Sequence, residues 1–337
     1  VATLSDVAKL AGVSTATVSK VLSNTPYFTE ETRSKVMRAI EELGYTPNLP
    51  ARALASGKTE IIGVVFPYIY DPLFTDPFVV YMLQGIESEC HTRGYNMLLS
   101  TPRLTTDGPD DHYLRLIQSR YLDGIIALDN VPTASVLEPV HKRGIPCVAI
   151  GYQPTRYHVR TDDYGGGTQA MQYLLHLGHT AIGVITVPAS LNFSINHRLA
   201  AIRDTAEANG IAYASLPSAE GDFSVSGGAT AAATLLSKDP TLTAILCLND
   251  RMAMGAIQYV RGLGKRVPED ISVIGFDDIP AAASFAPPLT TISNQAPVLG
   301  QAAAKLLFDL LEGQDVESSV INTQLIVRES TAPYHQQ

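Results

Sequence analysis

Val7, Leu10 and Ala11 recur at i, i+3 and i+4, the spacing of one face of a short helix. Gly12 follows, where a helix end wants a residue that tolerates positive φ, and Ser14 offers an N-cap oxygen to a second helix. That second helix gathers Val18, Val21 and Leu22 on one side. Its other side carries Thr15, Ala16, Thr17, Ser19 and Lys20. A third helix starts after Thr29 with acids in its first turn, and Val36, Ile40 and Leu43 give it an apolar face. The small, polar run Ala55-Ser56-Gly57-Lys58-Thr59 reads as a linker.

Beyond the linker the pattern changes to short apolar runs alternating with helical periods. Strands are expected at Ile61–Phe66, Tyr95–Leu99, Gly124–Leu128 and Pro146–Ile150, with helices at Phe78–Arg93, around His112–Ser119 and around Ser135–Lys142. Val159–Thr161 reads as a link into a second unit of the same kind. That unit has helices at Thr168–Leu177, Ile195–Ala208 and Met252–Gly262, with strands at Ala181–Val187, Thr243–Cys247 and Ile271–Phe276. An extended stretch to Ile292, a helix Val298–Leu311 and a closing strand Val320–Val327 complete it. Such alternation implies parallel sheets with right-handed crossovers, and a cleft between the two units at the strand C-termini.

Composition narrows the possibilities. A 45% hydrophobic content suits a soluble α/β protein rather than a disordered chain. Of 24 Lys and Arg and 33 Asp and Glu, seven and six fall in residues 1–60, so the rest carries 17 against 27. An acidic body argues against phosphate-backbone binding there, which leaves that task to the head. The small, hydroxylic and basic face of the second helix suits it: small side chains admit the backbone to the major groove, and hydroxyls and a cation meet phosphates and base edges. Cys90, Cys147 and Cys247 are odd in number, widely spaced and in apolar contexts, which reads as buried reduced thiols in a cytoplasmic protein. No signal segment or run of about 18 apolar residues suggests secretion or membrane insertion.

The blocks Asp6-Val7-Ala8, Ala11-Gly12-Val13-Ser14, Thr17-Val18-Ser19, Thr32-Arg33, Gly44-Tyr45-Thr46-Pro47-Asn48 and Ala51-Arg52-x-Leu54 resemble the lac-repressor (LacI/GalR) family of bacterial transcription regulators. Leu177-Gly178-His179, Asn249-Asp250-x-Met252-Ala253-x-Gly255, Gly275-Phe276-Asp277-Asp278 and Pro287-Pro288-Leu289-Thr290-Thr291-Ile292 extend that resemblance through most of the chain. It implies a helix-turn-helix DNA-binding domain over 1–47, a hinge helix and linker over 48–59, and an effector-binding core over 60–330. The core resembles periplasmic sugar-binding proteins, and the chain would cross three times between two doubly wound subdomains: 61–161 with 292–320, and 162–291 with 321–330. By the same resemblance, Thr15, Ala16 and Lys20 choose operator bases, and Ser14, Thr17 and Ser19 hold phosphates or bases. Asn48, Ala51, Arg52 and Leu54 belong to the hinge helix, with Leu54 wedged into the central base step, where partial unstacking is offset by wider contact. Many relatives have Arg where Lys20 stands, and Lys is a point donor rather than a planar fork, so the half-site sequence stays open.

Sugar hydroxyls call for planar polar groups and an apolar wall, and candidates stand at strand ends. Arg198 can donate two bonds, Asp277 can accept two, Asn249 does both, and Phe78 and Phe223 can stack. Each matches a ligand-contacting position of the family; Asn192, Ser194 and Asn294 are further carry-overs. Tyr68, Tyr70, Tyr152 and Tyr164 crowd the expected cleft. No Gly-x-Gly-x-x-Gly follows the first strand, and no Walker loop or Gly-x-Ser-x-Gly elbow is present, so no enzyme or cofactor is expected. Gly165-Gly166-Gly167 reads as a helix-starting loop, and His176-x-x-His179 as structural rather than a metal site. The expectation is a sugar-induced repressor, dimeric because its terminal residues lack leucine heptads and a two-fold partner gains operator specificity. A purine- or other metabolite-responsive corepressor-type regulator of the same fold and a sugar-binding protein without DNA function are the alternatives.

Overall fold

The computed structural model describes residues 2–22, 28–45, 57–67, 73–105, 108–128, 135–152, 155–188 and 192–334. The hinge candidates Asn48, Ala51, Arg52 and Leu54 lie outside these, as do Tyr68 and Tyr70.

The head consists of α1 (Leu4–Ala11), α2 (Thr15–Leu22) and α3 (Glu30–Leu43). Its ends are fixed by local chemistry. Thr3 and Asp6 form a reciprocal capping box, and that bond holds the Asp6 carboxyl below its usual range. Gly12 ends α1 at φ +66°, and Ser14 Oγ accepts from Thr17 N at 3.1 Å to start α2. Such a cap contributes about 1 kcal/mol. Val7, Ala8, Val18, Val21, Val36 and Ala39 form the buried centre. Leu10, expected on the buried face of α1, is 47% exposed; the packed stripe runs through Leu4, Val7, Ala8 and Ala11 instead.

The core begins with β1 (Ile61–Val65), α4 (Pro77–Arg93), β2 (Asn96–Ser100) and a small hairpin, β3 (Leu104–Thr105) with β4 (Gly108–Pro109). It continues with α5 (Asp111–Gln118), β5 (Gly124–Leu128), α6 (Glu138–Lys142), β6 (Cys147–Ile150) and β7 (His158–Thr161). Then come α7 (Asp163–His176), β8 (Ile182–Thr186), α8 (Phe193–Ala208), β9 (Ser218–Glu220), α9 (Val225–Lys238) and β10 (Ala244–Cys247). The chain finishes with α10 (Asp250–Gly262), β11 (Ser272–Asp277), α11 (Pro280–Ser284), β12 (Thr290–Ser293), α12 (Ala296–Leu311), β13 (Ser319–Ile321) and β14 (Gln324–Ile326).

The strands form two six-stranded sheets, ordered β2-β1-β5-β6-β7-β13 and β9-β8-β10-β11-β12-β14. In the first, β1 through β13 pair in parallel; in the second only β14 is antiparallel, against β12. The chain passes between the sheets after β7, after β12 and between β13 and β14. Each sheet has its own apolar core. Ile62, Val64, Ile126 and Val148 pack under α4 and α12 in one; Ile182, Val184, Ile245 and Ile274 pack under α7 to α10 in the other.

Several expectations change. Val159–Thr161 is not a link but β7, paired with β6 and β13. Val320–Val327 is not one strand: Asn322 and Thr323 separate β13 from β14, and the two join different sheets. The glycines 165–167 are not a loop, since Asp162 caps α7 and the helix already begins at Asp163. The strand β9 and helices α9 and α11 have no counterpart in the sequence pattern. β9 and α11 are three and five residues long, and α9 is built of Gly, Ala, Thr and Ser with few large apolar residues to reveal a period.

Cys90, Cys147 and Cys247 are free and buried. His179 is buried and structural: Nδ1 meets Thr243 Oγ1 and Nε2 meets Ala332 O, both at 3.0 Å. Burial pulls its pKa down, with the Ala332 bond opposing. The folded state therefore holds the ring neutral, while the unfolded chain takes up a proton below about pH 6.5. This contribution to stability is present above that pH and is lost as pH falls. The melting temperature should drop by roughly a few degrees from pH 7.5 to 5.5 on this account. His179→Gln should melt lower than the native chain at pH 7.5, with the gap narrowing at pH 5.5; a gap that widens would contradict it.

Candidate functional site

On the head, α2 presents its outer face as its apolar spacing requires. Ser14, Thr15, Ala16 and Lys20 are exposed, Thr17 and Ser19 half-buried, and Val18 and Val21 turned inward. Thr17 Oγ1 also lies 2.9 Å from Ser14 Oγ, which fixes the first turn.

In the core, a cavity of about 690 Å³, counting its open mouth, lies at the C-terminal ends of strands from both sheets. Phe78, Asn192, Ser194, Arg198, Phe223, Asn249 and Asp277 line it. Three further polar neighbours on its wall, Asp76, Arg160 and Thr161, are not evident from the sequence. Arg160 sits on the strand read as a link, and Asp76 caps α4 by accepting from Phe78 N at 3.1 Å. Only their place beside Phe78 and before Asp162 could have pointed to them.

Arg198 is buried, at 7% exposure, and tightly held. Its Nε donates to Asp163 Oδ1 at 2.8 Å and its Nη1 to Leu248 O at 2.6 Å. Nη1 also stands 3.8 Å from Asp277 Oδ1, and the guanidinium lies 3.5 Å from the Phe276 ring centre. Removing one member of a buried pair such as Arg198–Asp163 costs about 3–5 kcal/mol. Asn249 caps α10 with its Oδ1 on Met252 N, and its Nδ2 donates to Phe223 O at 3.1 Å. Asn192 caps α8 by accepting from Ser194 N at 2.8 Å.

Asn294 is placed differently from the others. It is buried and off the cavity wall, and its Nδ2 donates to Asp277 Oδ1 at 2.8 Å. It holds the carboxylate from behind. Burial pushes the Asp277 carboxyl well up, Arg198 pulls it down, and Asp250, Asp76 and Asp163 push it further up. Asp250, fully buried beneath this turn, is pushed up to about 7, again mainly by burial. Among the described residues, two buried side-chain oxygens have no partner: Asp163 Oδ2, on the Arg198 pair, and Asn294 Oδ1, behind Asp277.

The expected crowding of tyrosines is not found at the described positions. Tyr164 is 42% exposed and its hydroxyl donates to Asp204 at 2.9 Å. It lies in the first turn of α7, which turns it outward. Tyr152 donates to Thr161 O at 2.9 Å and stacks on His197 with centroids 4.0 Å apart. It braces the crossover beside the cavity rather than its wall.

Residues 3–48 match the bacterial regulatory proteins of the lacI family, and residues 171–331 match a periplasmic binding protein-like domain. The HTH-type transcriptional repressor PurR of Aliivibrio salmonicida is 33% identical over 98% of this chain and 98% of its own length. The chain belongs to the lac-repressor family of bacterial transcription regulators. Two solved family members are similar throughout. A complex of the transcriptional regulator CelR with cellobiose has 31% identity, covers 98% of this chain and 100% of its own, and superposes with a TM-score of 0.73. The lac repressor dimer bound to operator and the anti-inducer ONPF has 28% identity, 98% and 99% coverage, and a TM-score of 0.84. As a family member this protein is a ligand-responsive, DNA-binding transcription regulator, and not an enzyme. Among the described residues no helix is long and apolar enough to cross a membrane.

Proposed function

We propose that this regulator is a cytoplasmic, sugar-induced repressor that acts as a homodimer on a palindromic operator. The observation that carries the sugar reading is the convergence of Arg198, Asn249 and Asp277 on one cavity whose other walls include Phe78 and Phe223. Adjacent hydroxyls take two donors from a guanidinium and give two hydrogens to a carboxylate, while the ring C–H face rests on an aromatic side chain. The cellobiose of the CelR complex is a ligand of the same chemistry.

Asn192 and Ser194 complete the sugar contacts, and Asn294 acts through Asp277. Ser14, Thr15, Ala16, Thr17, Ser19 and Lys20 contact the operator, with Asn48, Ala51, Arg52 and Leu54 in the hinge. Domain boundaries near 47 and 59 separate head, hinge and core. Sugar binding changes the arrangement of the two subdomains, with it the spacing of two hinges in a dimer, and so the affinity for DNA.

Fluorescence anisotropy tests this on a labelled palindromic duplex library with a central C-G step, against mono- and disaccharides, hypoxanthine and adenosine. Release of DNA by one saccharide is the expected result. Tightening by a purine would reverse the switch and replace the sugar. Absence of DNA binding at low salt with a folded head would overturn the regulator itself.

A further inference from the structure

β11 ends in a turn where two consecutive residues adopt backbone that side chains other than glycine rarely take. Asp277 has φ +117° and Asp278 φ +58°. Such residues persist only where their surroundings over-determine them, and they gather at ligand clamps. Three groups hold this turn. Asn294 Nδ2 grips the Asp277 carboxylate at 2.8 Å, and Asp250 Oδ2 accepts from Ile279 N at 2.9 Å. The residue between them is held by Arg328, whose Nη2 donates to Asp278 Oδ1 at 2.6 Å.

Arg328 is itself anchored. Its Nη1 donates to Leu289 O at 2.8 Å, and its backbone N to Thr290 Oγ1 at 2.9 Å. The planar fork thus ties the left-handed turn to the start of β12 through two separate nitrogens. A lysine has one charged nitrogen and cannot span both. The pair is partly shielded, with side-chain exposures of 18% and 24%. Neither member lines the cavity.

We propose that Arg328 is a positioning residue for the effector site: its ion pair with Asp278 holds the 277–278 turn and so aims the Asp277 carboxylate into the cavity. The assignment rests on the effector reading above. It differs from a general stabilising role in one respect that can be measured. Glycine adopts φ +58° freely, so a glycine at 278 removes the need for Arg328.

The test uses the full chain as Arg328→Gln, Asp278→Gly and the double variant, and follows hydrogen exchange at the Ile279 amide. Arg328→Gln should accelerate that exchange about tenfold or more relative to the β10 amides. The double variant should return to within about threefold of the native rate, because the glycine takes over the turn. Unchanged exchange in Arg328→Gln, or equal acceleration in the double variant, overturns the proposal. Cellobiose and the rest of the sugar panel then supply a second readout. Affinity for the sugar that releases native protein from DNA should fall about tenfold in Arg328→Gln and recover in the double variant. Failure of every sugar to bind the native chain would instead sink the effector reading, while the exchange rates still decide what holds the turn.

Discussion

Asp277→Ala is expected to weaken effector release strongly while leaving DNA binding intact. The Asp277 carboxyl lines the cavity, and no other carboxyl on the wall lies so near Arg198 Nη1. Burial favours the neutral form of Asp277, so its two hydrogen bonds with sugar hydroxyls contribute about 0.5–1.5 kcal/mol each. At about 1.4 kcal/mol per decade, their joint loss weakens binding by roughly 5–150-fold. The head lies far along the chain from Asp277, so operator affinity without sugar should match the native protein. Calorimetric titration with the inducing sugar and anisotropy with operator, run on the same preparation, separate the two effects. Full inducibility in Asp277→Ala would remove this residue from the site. The variant also orphans Asn294 Nδ2, so a modest fall in melting temperature is expected alongside.

Gly300→Val is expected to damage the core severely. Helices α4 and α12 cross at a reciprocal pair of glycines. A Cβ at Gly300 would come within 2.0 Å of Met82 O, and one at Gly85 within 2.0 Å of Pro297 O. The obstructing atoms are backbone, so no side-chain rotation relieves them and the helices must separate. Met82, Ile86, Leu299 and Ala303, all buried around the crossing, would then lose contact. Overpacking a core costs about 1–3 kcal/mol where neighbours can yield, and a clash with backbone belongs at or above the upper end. Gly262→Val is the matched control, since a Cβ there meets nothing within 4 Å. Urea denaturation should show a loss of about 3 kcal/mol or more for Gly300→Val and a much smaller one for Gly262→Val. Comparable stability for the two would refute the glycine crossing.

The parts legible in the sequence are those that local chemistry dictates. The caps at Thr29 and Ser14, the positive-φ position at Gly12 and the apolar periods of α2 and α3 all announce themselves within a few residues. So do the buried strands, because parallel strands covered on both faces read as unbroken apolar runs such as Gly124–Leu128. What stayed hidden depends on distance along the chain. Asp163 and Arg198 pair across 35 positions, and Arg328 reaches back 50 positions to Asp278. No period records either pairing. The resemblance of strand-end residues to a known family brought forward the polar groups Arg198, Asn249 and Asp277. It did not separate Asn294, which grips Asp277, from the residues that face the cavity, nor reveal Arg160 on a strand too short to look like one.

The central claim is that a ligand in the cleft and DNA on the head are linked through one conformational equilibrium. Coupling of that kind is about 1–3 kcal/mol and is reciprocal by thermodynamic necessity. The direct measurement is the affinity of the inducing sugar for the free protein and for the protein saturated with operator duplex. Operator should weaken sugar binding by the same factor, roughly 5–150-fold, by which the sugar weakens operator binding. Equal sugar affinity in the two states would contradict the account, because a ligand that does not distinguish the DNA-bound form cannot release it.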